Sequence, residues 1–142
     1  MRLEIFVVSL ALAATSAHAQ SIAGKWSVTW DSDITLDHDT AIVKKRSTTT
    51  LDFTLKGDSV IGVWNAGPDS GTQLRGTFDG KTLRMTTGKN ERVVKVNGES
   101  VKMMVRWDIN GVLQGPKLAG SLFIYVADRS APARRWEAQR AP

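Results

Sequence analysis

The chain has 142 residues, 42% of them hydrophobic, which is enough for one domain with a buried core and too few for two. It contains no cysteine, so disulfides, thiol catalysis and cysteine-bound zinc are excluded. The formal net charge of +5 is typical either of a solvated basic exterior or of a protein that meets acidic partners.

The beginning of the chain has the pattern of a secretory signal peptide. Arg2 precedes an apolar stretch at residues 5–14, and an A-x-A cleavage signature follows at residues 17–19. This stretch is too short to span a membrane, and no later stretch is a candidate span. We therefore expect residues 1–19 to be a signal peptide and residues 20–142 to be one exported domain, periplasmic or extracellular. A basic domain in that location meets envelope proteins or polyanions more readily than nucleic acid.

The first predicted strand covers residues 24–30, where large apolar side chains alternate with small polar ones. A counterpart at residues 135–140 alternates in the same way around a tryptophan. The segment at residues 31–46 has two interpretations, a long loop or a protruding hairpin that turns near residues 37–40. Connections of this length are often functional.

The middle of the chain continues as short strands. Residues 50–55 alternate cleanly and lead into a turn at residues 56–59. Three later strands share the pattern large-x-Gly-x-large, at residues 60–64, 74–78 and 118–122. A glycine on the inward face marks a bend, a bulge or a close approach, and repeated glycines allow a sheet to coil and close.

Three Asx-Gly pairs predict hairpin turns, at residues 79–80, 97–98 and 110–111. The last pair follows a long predicted strand at residues 101–109. No stretch after residue 19 sustains a helical period, and the strands number about eight or nine, as in a sandwich or a barrel. We favour an all-β fold, a single up-and-down antiparallel β-barrel of about eight strands. The connections after the first are short, and closure removes exposed edge strands.

This pattern resembles the calycin group of small secreted barrels, which includes the lipocalins and the avidins. Lipocalins carry G-x-W on the first strand, and a late arginine packs across that tryptophan at the base of the barrel. Gly24 and Trp26 match the first feature, and Arg140 is the candidate for the second. The resemblance therefore implies that Gly24, Trp26 and Arg140 close the barrel.

The finer likeness is to avidins or to minimal bacterial lipocalin-like domains, because the chain is short and has no C-terminal helix. The T-D-Y element of lipocalins is missing. The ring of polar groups that avidins turn on biotin has no counterpart residue by residue. The resemblance thus implies a fold and does not name a ligand.

Five tryptophans fall on the inward parity of their predicted strands, namely Trp26, Trp30, Trp64, Trp107 and Trp136. Each buries about 200 Å² when enclosed, and a barrel of about eight strands is just wide enough to be filled or to hold one small ligand. The tryptophans are therefore either a packed core or the walls of a pocket. On the second interpretation, the candidate ligand-binding residues are Trp30, Trp64, Trp107 and Trp136.

Other candidate sites are weaker. Four aspartates surround His38, but their spacing lacks the glycine and the terminal glutamate of a calcium loop, so no metal or cofactor is predicted. His38 is the only histidine after residue 19 and no G-x-S-x-G motif is present, so no catalytic residue is named. Basic side chains fall on an outward face without interleaved aromatic residues, which predicts a solvated face and no nucleic-acid partner. They are Arg75, Arg84, Lys102 and Arg106.

The leading hypothesis is an exported barrel that binds a small apolar or aromatic ligand in its interior, without catalysis. The second is a protein-interaction module, such as an inhibitor or an envelope accessory, that acts through residues 31–46. The third is a hydrolase or isomerase whose site lies at the mouth of the barrel. No oligomeric state is predicted.

Overall fold

A computed structural model gives the structure of the chain and describes residues 21–65 and 71–142. The predicted signal peptide, residues 1–19, lies outside the described residues. The strands are β1 (Gly24–Asp37), β2 (Thr40–Lys56), β3 (Ser59–Asn65), β4 (Thr72–Phe78), β5 (Thr82–Thr86), β6 (Asn90–Val96), β7 (Glu99–Gln114), β8 (Lys117–Val126), β9 (Arg129–Ser130) and β10 (Arg134–Arg140). None of the described residues forms a helix, so none offers a helix long and apolar enough to cross a membrane.

Eight of these strands form a closed antiparallel barrel in the order β1, β2, β3, β4, β5, β7, β8, β10, and β10 pairs again with β1. The two remaining strands, β6 and β9, each pair with one end of a barrel strand. β5 and β6 pair with successive parts of β7, and β10 and β9 pair with successive parts of β8. Each of the eight barrel strands is therefore followed in space by the next barrel strand along the chain. The predicted all-β, up-and-down barrel of about eight strands is confirmed.

The first and last strands meet at the base of the barrel, which we define by Trp26 and Arg140. These two residues are direct partners in the β1–β10 register, and Trp26 is fully buried. The guanidinium carbon of Arg140 lies 4.8 Å from the centre of the Trp26 ring. The guanidinium also donates hydrogen bonds to the carbonyls of Ala23, at 2.9 Å, and of Ser21. The chain preceding β1 is thereby tied to the end of β10.

Two of the repeated glycines lie where neighbouring strands approach each other closely. A Cβ atom at Gly76 would lie 1.7 Å from the carbonyl oxygen of Arg84, and one at Gly120 would lie 1.9 Å from that of Asn110. Any side chain there would displace the backbone of the next strand. These glycines therefore permit the tight coiling of the sheet, as the pattern predicts.

The predicted turn at residues 110–111 is wrong. β7 continues through both residues to Gln114, and the chain turns at residues 115–116 instead. Position 111 requires a glycine because the ring of Trp136 lies against it. A Cβ atom there would be 2.6 Å from Cζ2 of that ring. Gly111 of the Asn-Gly pair thus makes room for a side chain from β10 instead of forming a turn. The turns predicted at residues 56–59, 79–80 and 97–98 do connect successive strands.

Two hairpins rise beyond the same end of the barrel. Residues 31–46 form the outer part of β1 and β2, and the chain turns at His38 and Asp39, both with positive φ. The alternative of a protruding hairpin is therefore correct for this segment. Residues 90–104 form the second hairpin, where the outer part of β7 pairs with β6. Together the hairpins flank the barrel opening opposite the base, which we call the mouth.

Candidate functional site at the barrel mouth

Three of the predicted ligand-binding tryptophans meet at the mouth. Trp30 ends the barrel portion of β1, Trp64 lies near the end of β3, and Trp107 lies on β7 just below the second hairpin. Their ring centres are 5.3 Å apart for Trp30 and Trp64, 6.1 Å for Trp64 and Trp107, and 6.5 Å for Trp30 and Trp107. The first two contacts are edge-to-face, which aromatic quadrupoles favour. We call Trp30, Trp64 and Trp107 the tryptophan cluster.

The fourth candidate, Trp136, is the direct cross-strand partner of Trp30, but its ring turns the other way. It is buried in the core, where the ring reaches across β8 and lies against Gly111 on β7. Its Nε1 donates a hydrogen bond of 3.1 Å to the carbonyl of Asn110. The structure therefore places Trp136 outside the tryptophan cluster and gives its indole N–H a protein partner.

Two indoles of the tryptophan cluster differ from those of Trp26 and Trp136 in their hydrogen bonding. At the base, Nε1 of Trp26 donates to the carbonyl of Ile22 at 2.8 Å. By contrast, Nε1 of Trp30 and Nε1 of Trp64 are buried and have no hydrogen-bond partner in the described part of the chain. A buried donor left unpaired costs about 1–3 kcal/mol, so such groups usually have a specific reason. The two mouth indoles thus offer donors that no described residue uses.

The tryptophan cluster is largely buried, and Trp30 is its most exposed member. Trp64 is fully buried, Trp107 is 6% exposed and Trp30 is half-buried. Below the cluster the interior is packed, and Met85 and Leu51 fill the space beside Gly62. The cluster is therefore the floor of the mouth and the upper limit of the filled core.

Arginines flank the tryptophan cluster on two sides. The guanidinium carbon of Arg134 lies 5.8 Å from the ring centre of Trp30, and that of Arg92 lies 5.8 Å from the ring centre of Trp107. Both distances are within the range of a cation–π interaction. Arg92 also donates to Oγ1 of Thr72 at 3.3 Å. The rim of the mouth therefore carries positive charge beside the aromatic rings.

Arg134 is held in place by the backbone at the root of the first hairpin. Its Nη1 donates to the carbonyls of Asp31 at 3.2 Å and of Ser32 at 2.8 Å. Burial lowers the pKa of Arg134 from its ordinary value, while Asp33 and Asp31 act in the opposite direction. The guanidinium nevertheless remains protonated at neutral pH. Its Nε is buried without a hydrogen-bond partner among the described residues, which adds a third unused donor beside the cluster.

The first hairpin is anchored by Asp31, which is only 4% exposed. Its carboxylate accepts hydrogen bonds from Nε of Arg46 at 3.0 Å and from the backbone N–H of Arg135 at 3.1 Å. The register of β1 and β2 shifts directly after Asp31, as at a β-bulge. Asp31 therefore acts as an anchor for the hairpin. In the described ranges no group of three or more acidic, histidine or cysteine side chains is arranged to hold a metal ion.

The inward face of the second hairpin adds an apolar wall above the cluster. Val94 and Val101 are direct partners on β6 and β7, and Met103 and Val105 follow on the same face of β7. Val105 is buried, and Val94 packs against the core. We call Val94, Val101, Met103 and Val105 the apolar wall. It continues the interior surface of the barrel outward from Trp107.

The sequence interpretation missed Arg134 and Arg92 as neighbours of the cluster. Arg134 lies two residues before Trp136, so the period of a strand already places both on one face. The approach of Arg134 to Trp30 depends on the pairing of β10 with β1, which the local pattern does not contain.

The outward face of β4, β5, β7 and β8 also differs from the prediction. Aromatic residues are interleaved with its arginines, because Tyr125 pairs with Arg106 and Phe123 pairs with Asp108 across β7 and β8. The expectation of a basic face without aromatic side chains is therefore wrong for this part of the barrel.

No protein-family model matches the chain, and no curated protein matches it. The fold itself is an all-β closed barrel of eight antiparallel strands, which is consistent with a calycin-like barrel.

Proposed function

We propose that this protein binds a small apolar or aromatic ligand at the mouth of its barrel, without catalysis, and that the ligand carries an acceptor oxygen. The observation that carries the proposal is the contrast among the indoles. Nε1 of Trp26 and of Trp136 have backbone partners, whereas the buried Nε1 of Trp30 and of Trp64 have none in the described residues. A ligand oxygen that enters between the rings, which must separate to admit it, would satisfy these donors.

The surroundings of the tryptophan cluster support the same ligand chemistry. The aromatic floor and the apolar wall favour an apolar or aromatic body. The unused groups, including Nε of Arg134, are all donors, and the rim carries the guanidiniums of Arg134 and Arg92. A carbonyl, carboxylate or sulfonate oxygen on the ligand matches them best. Because the interior below Trp64 is packed, the ligand rests on the cluster rather than deep in the barrel.

The proposal includes the type of barrel and its location. The seam between Trp26 and Arg140 resembles the closure of lipocalin-like barrels, and Gly24 lies beside it, since a Cβ atom at Gly24 would be 3.7 Å from Nη1 of Arg140. We assign these three residues to closure and the protein to the lipocalin-like or avidin-like type. The signal-peptide pattern of residues 1–19 supports an exported protein, periplasmic or extracellular.

The test uses 1-anilinonaphthalene-8-sulfonate, an aromatic probe with sulfonate oxygens. Its affinity is measured by fluorescence titration of the purified protein, of Trp30→Phe and of the matched variant Trp136→Phe. Trp30→Phe keeps an aromatic ring but removes an unused donor, so we expect about a tenfold loss of affinity at unchanged stability. Trp136→Phe removes a buried hydrogen bond to the Asn110 carbonyl and part of a buried ring, so we expect a loss of about 1–3 kcal/mol of stability at unchanged affinity.

Either of two results would refute the proposal. One is a wild-type protein that does not bind the probe. The other is equal loss of affinity in both variants, because it would show that the mouth has no special role.

A second candidate function, a protein-interaction module, is favoured by a different observation. Within the described residues, the large apolar side chains that are exposed all lie on the two protruding hairpins. They are Leu36, Ile42, Val43, Val93, Val96 and Met104. Exposed apolar side chains grouped at one end of a molecule are typical of a contact surface. An envelope protein would then be the partner, with residues 31–46 supplying one half of the surface.

The two functions are separated by Leu36→Ser, which changes the first hairpin far from the tryptophan cluster. The mouth proposal predicts that this variant binds the probe like wild type. If it fails to retain an envelope protein that the wild type captures, the interaction module is supported.

A further inference from the structure

A second surface lies on the outside of the barrel, away from the mouth. The outward faces of β4, β5, β7 and β8 form an open groove of about 950 Å³. Cross-strand pairs place Arg75 beside Thr86, and Asp108 beside Phe123, so one row of side chains crosses four strands. An open groove that crosses four strands can accommodate an extended chain.

The groove carries more positive than negative charge. Arg84 makes no ion pair or side-chain hydrogen bond with any described residue, and Arg75 makes only a 3.5 Å hydrogen bond to Gln73. Both guanidiniums are exposed and therefore available to an anion. Guanidinium forks bind carboxylates with two parallel hydrogen bonds, which gives geometric specificity as well as affinity.

The third arginine of the groove, Arg106, is held in place by neighbouring side chains. The guanidinium carbon of Arg106 lies 4.3 Å from the ring centre of Tyr125, and its Nε lies 3.3 Å from Oδ2 of Asp108. That ion pair lacks hydrogen-bond geometry, and Nε of Arg106 is buried without a hydrogen-bond partner in the described part of the chain. The groove thus contains a positioned cation with an unused donor.

Hydrogen-bond acceptors lie between the arginines. The carboxylate of Asp108 accepts a hydrogen bond of 2.7 Å from Oγ1 of Thr86 and remains partly exposed. Asn110 also lines the groove. A carboxylate in the floor repels a dense polyanion such as polyphosphate but accepts hydrogen bonds from hydroxyl groups. The mixture of guanidinium, carboxylate and amide groups therefore matches a ligand that has both carboxylates and hydroxyls.

Aromatic rings complete the groove along β8. Phe123 and Tyr125 lie two residues apart on its outward face, and both are half-buried. Flat rings at the wall of an open groove provide stacking surfaces for the apolar faces of ring-shaped groups. Sugar rings present such a face together with their hydroxyls.

We infer that this groove binds an acidic glycan, a chain of sugar rings that carry carboxylates. Arg75 and Arg84 pair with the carboxylates, Asp108 and Asn110 meet the hydroxyls, and the ring of Phe123 stacks against a sugar, while the ring of Tyr125 holds Arg106 in place. This surface is separate from the mouth, so the inference does not depend on the ligand proposed there. It also gives the basic charge of the protein a specific role.

The test measures binding of a galacturonic-acid oligosaccharide to the purified protein by isothermal titration calorimetry. A neutral glucose oligosaccharide of the same length and inorganic polyphosphate are measured beside it. The variant Arg84→Gln removes an unpaired groove cation, and Arg129→Gln removes one exposed positive charge on β9, outside the groove. We expect the uronate to bind best, Arg84→Gln to weaken it about tenfold or more, and Arg129→Gln to bind like wild type.

Three results would overturn the inference. The first is the absence of uronate binding by wild type. The second is equal loss of affinity in both arginine variants, which would indicate attraction by net charge alone. The third is tighter binding of polyphosphate than of the uronate, which would show that the groove selects charge density and not a glycan.

Discussion

The seam at the base of the barrel allows a sharp test by replacement of Arg140 with glutamine. The substitution removes a guanidinium that lies 4.8 Å from the Trp26 ring and that donates to the carbonyls of Ala23 and Ser21. A cation–π contact contributes about 0.5–1 kcal/mol at an exposed site, and each hydrogen bond contributes about 0.5–1.5 kcal/mol. Because Arg140 is exposed, we take the lower part of the summed range, about 2 kcal/mol of unfolding free energy.

The measurement is urea denaturation followed by tryptophan fluorescence and circular dichroism, with thermal melting beside it. A loss of about 2 kcal/mol corresponds to a fall in the melting temperature of about 8 °C for a domain of this size. Arg135→Gln is the matched control, because it changes the same charge on the same strand. The side chain of Arg135 makes no hydrogen bond or ion pair with a described residue, and its backbone N–H, which donates to Asp31, is unchanged by the substitution, so we expect a change within about 0.5 kcal/mol.

Arg140→Lys adds a further comparison. Lysine keeps the charge but lacks the planar fork, so we expect a loss of stability between those of the other two variants. Equal stability of Arg140→Gln and Arg135→Gln would refute the reasoning, because it would show that the contact with Trp26 does not stabilise the seam.

Two further predictions concern positions away from the seam. Gly111→Ala places a Cβ atom 2.6 Å from the Trp136 ring, so we expect a loss of about 1–3 kcal/mol in urea denaturation, and unchanged stability would contradict that packing. Asp79 accepts hydrogen bonds from the backbone N–H groups of Thr82 and Lys81, which lower its pKa below the ordinary value of 3.8. The stabilisation of the fold by the ionised Asp79 carboxylate is therefore present above about pH 3.8 and is lost as the pH falls through the lowered pKa. The free energy of unfolding should accordingly fall less in acid for Asp79→Asn than for wild type.

The fold could be predicted largely because its signals are local. Alternation with a period of two located the barrel strands, and the turn composition at residues 97–98 located a hairpin. The same logic failed at residues 110–111, because Asn-Gly is also compatible with a strand in which a glycine admits a large ring. That ring belongs to Trp136, which is distant in the sequence, so no local pattern distinguishes the two cases.

The candidate site was predictable only in part for a related reason. Inward parity identified the tryptophans, but the pairing of strands distant in sequence decides that Trp30, Trp64 and Trp107 meet. The ring of Trp136, the cross-strand partner of Trp30, lies against Gly111 instead. The outer groove was missed because residues 122–126 are apolar at every position, which hides the alternation. The buried Leu122 fixes the inward parity there and so places Phe123 outward.

The central claim is that the mouth indoles are donors for a ligand oxygen. It is tested most directly by the indole N–H resonances in a ¹H–¹⁵N correlation spectrum, recorded during titration with 1-anilinonaphthalene-8-sulfonate. We predict that the signals of Trp30 and Trp64 move as the probe binds, while those of Trp26 and Trp136 keep their positions because backbone carbonyls already hold them. Movement of the Trp26 and Trp136 signals with those of Trp30 and Trp64 unchanged would contradict the account.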